Sequence, residues 1–196
     1  VIAELVPRVI RGSIVTAGAI VAPGVVRYDA PGDSWFGPFE PRPAPMGEIE
    51  RLAGLLGAGG LRTHALADAR GPQWTKVIFN SATSPLAALT GLPMGPLCTD
   101  RALRGQVDAL VAEALAVCER AGIVPVRPPG KAVDEAIAEA YDHKPSMLQD
   151  VLARRPTEID VLNGGIAAEG RRAGVPTPRH DSMVALVKGL EKSWSR

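Results

Sequence analysis

The chain has 196 residues, 46% of them hydrophobic and 22% charged, which is enough for one large domain or two small ones with a real core. Its net charge of +1, with Lys and Arg interspersed among acids, gives no electrostatic footprint for nucleic acid. Two cysteines, Cys98 and Cys118, make neither a disulfide framework nor a zinc-ligand spacing, and the apolar stretches stop well short of the roughly 20 residues that cross a bilayer. The expectation is a cytoplasmic protein with no nucleic-acid partner, no membrane span and no metal. The opening VIAELVPR is no signal peptide, and it starts on Val rather than Met, so further residues upstream are expected.

In chain order, Val9 to Phe39 predicts strands: VIRGSIVTAGAIV, a turn at Pro23-Gly24, then VVRYD and SWFGPF, arranged as a hairpin or meander. A Pro-rich loop leads to a short helix, EIERLAGLLG. The following Gly57, Gly59 and Gly60 come after a helical pattern rather than between a strand and a helix, so they read as a helix C-cap and not as a phosphate loop. LRTHAL predicts one more strand, and from about Asp68 onward the pattern is helical. TDRALRGQVDALVAEALAVCERAG carries the cleanest period, with Leu103, Val107, Leu110, Val111, Ala114 and Cys118 on one side and Thr99 or Asp100 as N-cap. Further helices fit AVDEAIAEAYD, PSMLQDVLA, PTEIDVLNGGIAAEGRRAG and DSMVALVKGLEKSW. The fold class is α+β: a β-rich piece shaped like the tail of a Rossmann-type α/β domain, followed by an all-helical domain, with the boundary at 67/68.

The chemistry concentrates on a helix expected from about Pro72 to Ser84. A step of 100° per residue puts Gln73, Lys76, Asn80, Thr83 and Ser84 on one narrow polar stripe, while Trp74, Val77, Ile78, Phe79 and Ala82 cover the rest. A lone Lys on such a stripe can line a cleft where desolvation eases proton donation, and an Asn one turn on can bind a carbonyl or carboxylate. A solvated face with Lys76 snorkelling is the competing reading, and periodicity alone favours it. Glu158 follows Pro156 at an expected first helical turn, where the macrodipole favours acids anyway. Ser146 follows Pro145 at another helix start, where capping is the commoner role. His64, His143 and His180 are scattered without metal spacing and read as solvated or packed, and Asp142, Asp150 and Asp160 read as surface charge. No GxSxG elbow supports serine-hydrolase chemistry.

At WTKVIFNSATSPLAALTGLPMG, PSMLQDVLARRPTEIDVLNGGIAAEGRRAGVPTP and MVALVKGLE, and more weakly back through RVIRGSIVTAGAIVAPGVVRYDAPGDSWFG, the chain resembles the ketopantoate reductases (2-dehydropantoate 2-reductases). The resemblance covers nearly the whole chain. It implies a helical C-terminal domain of the 6-phosphogluconate dehydrogenase type for residues 68–196, used for substrate binding and homodimerisation, and a remnant of the NADP-binding domain for residues 1–67. It also implies the reaction, in which NADPH reduces ketopantoate to pantoate on the route to pantothenate and coenzyme A. Carried over residue by residue, it makes Lys76 the proton donor to the carbonyl, Lys76, Asn80, Ser84 and Ser146 substrate-binding, Glu158 the acid reaching the cofactor ribose and substrate region, and Ala19 a position whose backbone lies near the cofactor.

Two departures bear on the substrate. Ser84 stands where the family has a substrate-contacting Asn, and Met94 where it often has another. Losing both amides would leave substrate oxygens unpaired at about 1–3 kcal/mol each. A further departure is the family's GxGxxG region, which does not occur here, so the expectation is a truncated form, inactive alone, whose cofactor site is mostly missing. The alternatives are a reductase of another small 2-keto acid, and a non-catalytic helical module for dimerisation or small-molecule binding.

Overall fold

The computed structural model describes residues 2–15, 17–30 and 32–194. They fall into two compact units, Val1–Lys76 and Val77–Arg196, and each is described by itself.

The first unit opens with helix α1 (Ile2–Leu5), then strands β1 (Ile10–Ile14), β2 (Ala17–Ala22), β3 (Val25–Ala30) and β4 (Asp33–Pro38), helix α2 (Met46–Ala58) and strand β5 (Arg62–Ala65). The expected meander is realised only in part. β2 and β3 form an antiparallel hairpin across the Pro23-Gly24 turn, where Gly24 takes φ 74°. β1 skips β2 and pairs antiparallel with β4, with Ile14 opposite Ser34 and Ile10 opposite Pro38. β4 and β5 then run parallel with α2 as their crossover, so the order is β1-β4-β5. Alternation along the strands buries one face against α2: Phe36, Ala44, Ile49 and Ala53 form a core completed by Ile10, Met46, Leu52, Leu56 and Ala65. Gly59 caps α2 and Gly60 follows with φ 90°, so the glycine cluster ends a helix, as its place in the sequence predicts.

Helix α3 (Arg70–Thr90) is longer at both ends than the stretch expected from the sequence, and it spans the boundary between the units. The second unit continues with α4 (Met94–Thr99), α5 (Arg101–Arg120), α6 (Pro129–Glu139), α7 (Ser146–Leu152), α8 (Ile159–Ala173) and α9 (Pro178–Ser193). Asp100 caps α5, its carboxylate accepting from the N–H of Ala102 and Leu103. Val107, Leu110, Val111, Ala114, Val117 and Cys118 form the buried stripe of α5, with Leu103 only half-buried. Each fully buried Leu or Val contributes about 1.5–3 kcal/mol. A second cluster joins Ala88 of α3, Met147 of α7, Ile159 and Leu162 of α8 and Val187 of α9. The α8–α9 connection closes on Gly174 at φ 70°, with the Val175 N–H bonded back to the Gly170 carbonyl. Among the described residues, no helix is long and apolar enough to cross a membrane.

Candidate active site

In the first unit, the Lys76 side chain is exposed rather than desolvated, and its Nζ donates to the Ile14 carbonyl at the end of β1, 2.7 Å away. Of the two readings of this stripe, the exposed side chain agrees with the solvated one that periodicity favours and not with the desolvated one. What fixes Lys76 is a hydrogen bond it donates to a strand end, and one such bond leaves the ammonium donor capacity for a ligand oxygen. Ala19 lies in β2 with Arg27 as its pairing partner, and its side chain falls outside the described residues.

In the second unit, the polar stripe of α3 divides along its length. Asn80 is half-buried, whereas residues 81–88 are all buried, Ser84 being only 3% exposed. Met94, at the start of α4, is 2% exposed. Ser84 and Met94 therefore stand inside the helical packing. Ser146 is exposed at the first position of α7, and Pro145 rather than Ser146 takes the N-cap, so the capping role expected for the serine is not realised.

Helix α8 begins later than the sequence pattern suggests. Pro156 and Thr157 precede it, and Glu158 is its N-cap, exposed and without a side-chain capping hydrogen bond. Glu191 of α9 organises this turn, its carboxylate accepting from Thr157 N and Oγ1 at 2.8 and 2.7 Å. Burial pushes the Glu191 carboxyl up, but the Thr157 hydrogen bonds and the Lys188 ammonium outweigh it and hold the group below its usual range. The candidate residues of this unit share a support. Met147 and Ile159, the neighbours of Ser146 and Glu158, pack in one cluster with Ala88, one turn beyond Ser84 on α3.

Sequence reasoning missed the role of a buried polar network in the same unit. His180 and Asn163 are both fully buried. Asn163 Nδ2 lies 2.9 Å from the Ser81 carbonyl and 3.1 Å from His180 Nδ1, and His180 Nε2 lies 3.1 Å from the Leu110 carbonyl. Burial lowers the His180 pKa from its ordinary value, against smaller opposite effects of the Leu110 carbonyl, Glu113 and Asp181. The signal that could have found it is Pro85, which stands inside α3 and leaves a carbonyl in need of a donor. Of the acids read as surface charge, Asp142 and Asp160 are exposed, Asp160 pairing with Lys188, while Asp150 is half-buried and pairs with Arg155. Among the described residues, no group of His, Cys, Asp or Glu is arranged to hold a metal ion.

The profile of the family described as Ketopantoate reductase PanE/ApbA C terminal matches residues 68–191. The 2-dehydropantoate 2-reductase of Mesorhizobium japonicum is 33% identical over 93% of this chain and 55% of its own length. That of Pyrococcus abyssi is 28% identical over 92% of this chain and 60% of its own. The chain thus spans somewhat more than half the length of these relatives. Among solved structures, 2-dehydropantoate 2-reductase from Methylococcus capsulatus superposes with a TM-score of 0.84 at 28% identity, covering 100% of this chain and 67% of that one. A ternary structure of D-mandelate dehydrogenase with NADH and anilino(oxo)acetate gives 0.84 at 25% identity, covering 100% and 64%.

Proposed function

Because the chain belongs to the ketopantoate reductase family, whose C-terminal profile matches residues 68–191, we propose that it serves the NADPH-dependent reduction of ketopantoate to pantoate. The observation that carries this reading is Lys76, whose exposed ammonium is held by the Ile14 carbonyl one helical turn before Asn80. A bound nicotinamide cofactor supplies the hydride that goes to the keto carbon. The chain's own part is to give a proton from Lys76 Nζ to the keto oxygen, and to hold the substrate's oxygens through Asn80 and Ser146. Glu158 fits the ribose end of such a cofactor, since its carboxylate is exposed and not engaged in capping α8, and by the family resemblance Ala19 would present its backbone to the cofactor. The glycines at 57, 59 and 60 do not fit the pyrophosphate, because they close a helix C-terminus where the dipole repels anions.

The test is ketopantoate-dependent oxidation of NADPH, with NADH in parallel, by the protein and by Lys76→Ala. A fall of about 10²–10⁴-fold in turnover for the variant is expected. Equal rates, or failure to bind any 2-keto acid, would overturn the reading, whereas binding without turnover is the outcome expected of a chain without the GxGxxG region.

A second reading, reduction of another 2-keto acid, is favoured by Ser84 and Met94. Both stand where the resemblance places substrate-contacting amides, and, buried in the helical packing, neither supplies a substitute for the missing amide. The likeness to D-mandelate dehydrogenase supports it, because the anilino(oxo)acetate in that structure carries an anilino group on its oxo carbon beside the carboxylate. A substrate panel separates the two readings: a strong preference for ketopantoate over aryl and branched 2-keto acids disposes of the second. A homodimer through the helical unit belongs to the same proposal, supported by the exposed Leu152, Val161 and Leu186, and sedimentation that returns a monomer would remove it.

A further inference from the structure

Proline has no N–H, so Pro85 inside α3 deprives the carbonyl four residues back, on Ser81, of its helical partner. Ser81 is fully buried, and the donor that takes over is Asn163 Nδ2 at 2.9 Å. The orientation of that amide is forced. The Leu110 carbonyl can only accept, so His180 Nε2 carries the proton and the neutral ring accepts at Nδ1. The two hydrogens of Asn163 Nδ2 are then committed, one to Ser81 and one to His180 Nδ1, while the buried Oδ1 has no protein partner. Asn163 lies on α8 five residues after Glu158, and Ser81 lies between Asn80 and Ser84 on α3.

We infer that Asn163 is a positioning residue: it fixes the turn of α3 that carries Asn80 by holding the carbonyl Pro85 orphans, and it holds it only while His180 presents an unprotonated Nδ1. The inference rests on the reading of Asn80 as substrate-binding. Protonation would put N–H on both ring nitrogens, so Nδ1–H would meet the N–H of Asn163. The amide would have to turn, offering Oδ1 to the ring and withdrawing its donor from Ser81. The charged groups around His180 are Glu113 of α5, whose carboxylate accepts from the Arg179 and His180 backbone N–H, Arg179 beside it, and Asp181, paired with Arg171 of α8. The two acids favour the proton and burial opposes it, so the switch lies on the acid side of neutrality.

The experiment is NMR of the isotopically labelled chain, following the side-chain amides of Asn80 and Asn163 and the ring nitrogens of His180 from neutral to about pH 5, with ketopantoate as the probe of Asn80. The Asn80 signals are expected to move in step with His180, and ketopantoate affinity to weaken by about tenfold across the same transition. His180→Gln keeps an acceptor and a donor without titrating, and should abolish both effects. At neutral pH a second arm needs no titration. Asn163→Ala should shift Asn80 in the native sequence but not beside Pro85→Ala, which gives Ser81 its helical partner back. Asn80 indifferent to His180, or Asn163→Ala acting equally in both backgrounds, would overturn the inference. Should ketopantoate bind at no pH, the functional reading fails, while the coupling of Asn80 to His180 still decides this one.

Discussion

The ring of Tyr141 lies over Gly95 so closely that a Cβ on Gly95 would come within 2.3 Å of Tyr141 Cδ2 and 2.4 Å of Cγ. The backbone cannot drift apart to relieve this, because Gly95 N–H donates to the Tyr141 carbonyl at 2.7 Å and Met94 N–H to that of His143 at 3.0 Å. The contact pins the segment before Ser146 to the start of α4. Gly95→Ala is therefore expected to destabilise the chain by about 1–3 kcal/mol through overpacking. At about 2–4 °C per kcal/mol for a chain of this size, a thermal melt reads it directly. An unchanged melting temperature would mean that the ring simply swings aside.

Asp100 should matter through its carboxylate alone. It accepts from two N–H groups at 2.9 Å each at the start of α5, donors that otherwise lack partners. Asp100→Ala is expected to lower stability by about 0.5–2 kcal/mol, and Asp100→Asn by much less, in urea unfolding. Equal losses from both variants would show that charge rather than capping is at work.

Acid should destabilise the protein in two stages. Burial holds the folded His180 pKa below its ordinary 6.5, so as pH falls through that value the unfolded chain takes up a proton that the folded chain refuses. Stability is complete above that range and declines below it. Glu191, whose folded pKa is depressed, adds a second loss that starts below its ordinary 4.5 and runs down through its folded pKa. The urea midpoint is expected to fall between neutrality and about pH 5, and His180→Gln should flatten that first stage while leaving the second. A wild-type midpoint constant over the first stage would contradict the sign derived for His180.

The two thiols should be silent in the folded protein. Cys118 is 1% exposed and burial pushes its pKa up to about 11. Burial likewise raises that of Cys98, the nearby Arg104 only partly opposing it. Because the thiolate is the reactive form, a thiol reagent at neutral pH is expected to label neither residue until guanidinium unfolds the chain. Rapid labelling of native protein at one residue would locate an opening of the helical unit there.

Much of the fold was legible because it is written locally. The period of α5, its Asp100 cap, the glycines that end α2 and the change from strands to helices each depend on a few neighbouring residues and their backbone preferences. The motifs around Lys76, Asn80 and Glu158 were legible for a different reason, as side chains at fixed spacing that resemble a family. Even so, the helical wheel put Lys76 and Ser84 on one stripe, and the structure gives them opposite environments: Lys76 is exposed and Ser84 is buried. A wheel records direction around one helix, whereas burial depends on what packs against each turn.

By itself, the sequence determined which segments are helix or strand, which faces are apolar, and to which family the chain belongs. Tertiary structure alone decided that β1 pairs with β4 rather than with its neighbour β2, that Lys76 reaches the Ile14 carbonyl, and that Asn163 and His180 converge on a carbonyl orphaned by Pro85. The physical reason is the range of the forces. Propensity, periodicity and capping act within a turn or two of chain, while strand pairing and the satisfaction of a buried polar group are settled by partners tens of residues away, which must be brought together before either can be supplied.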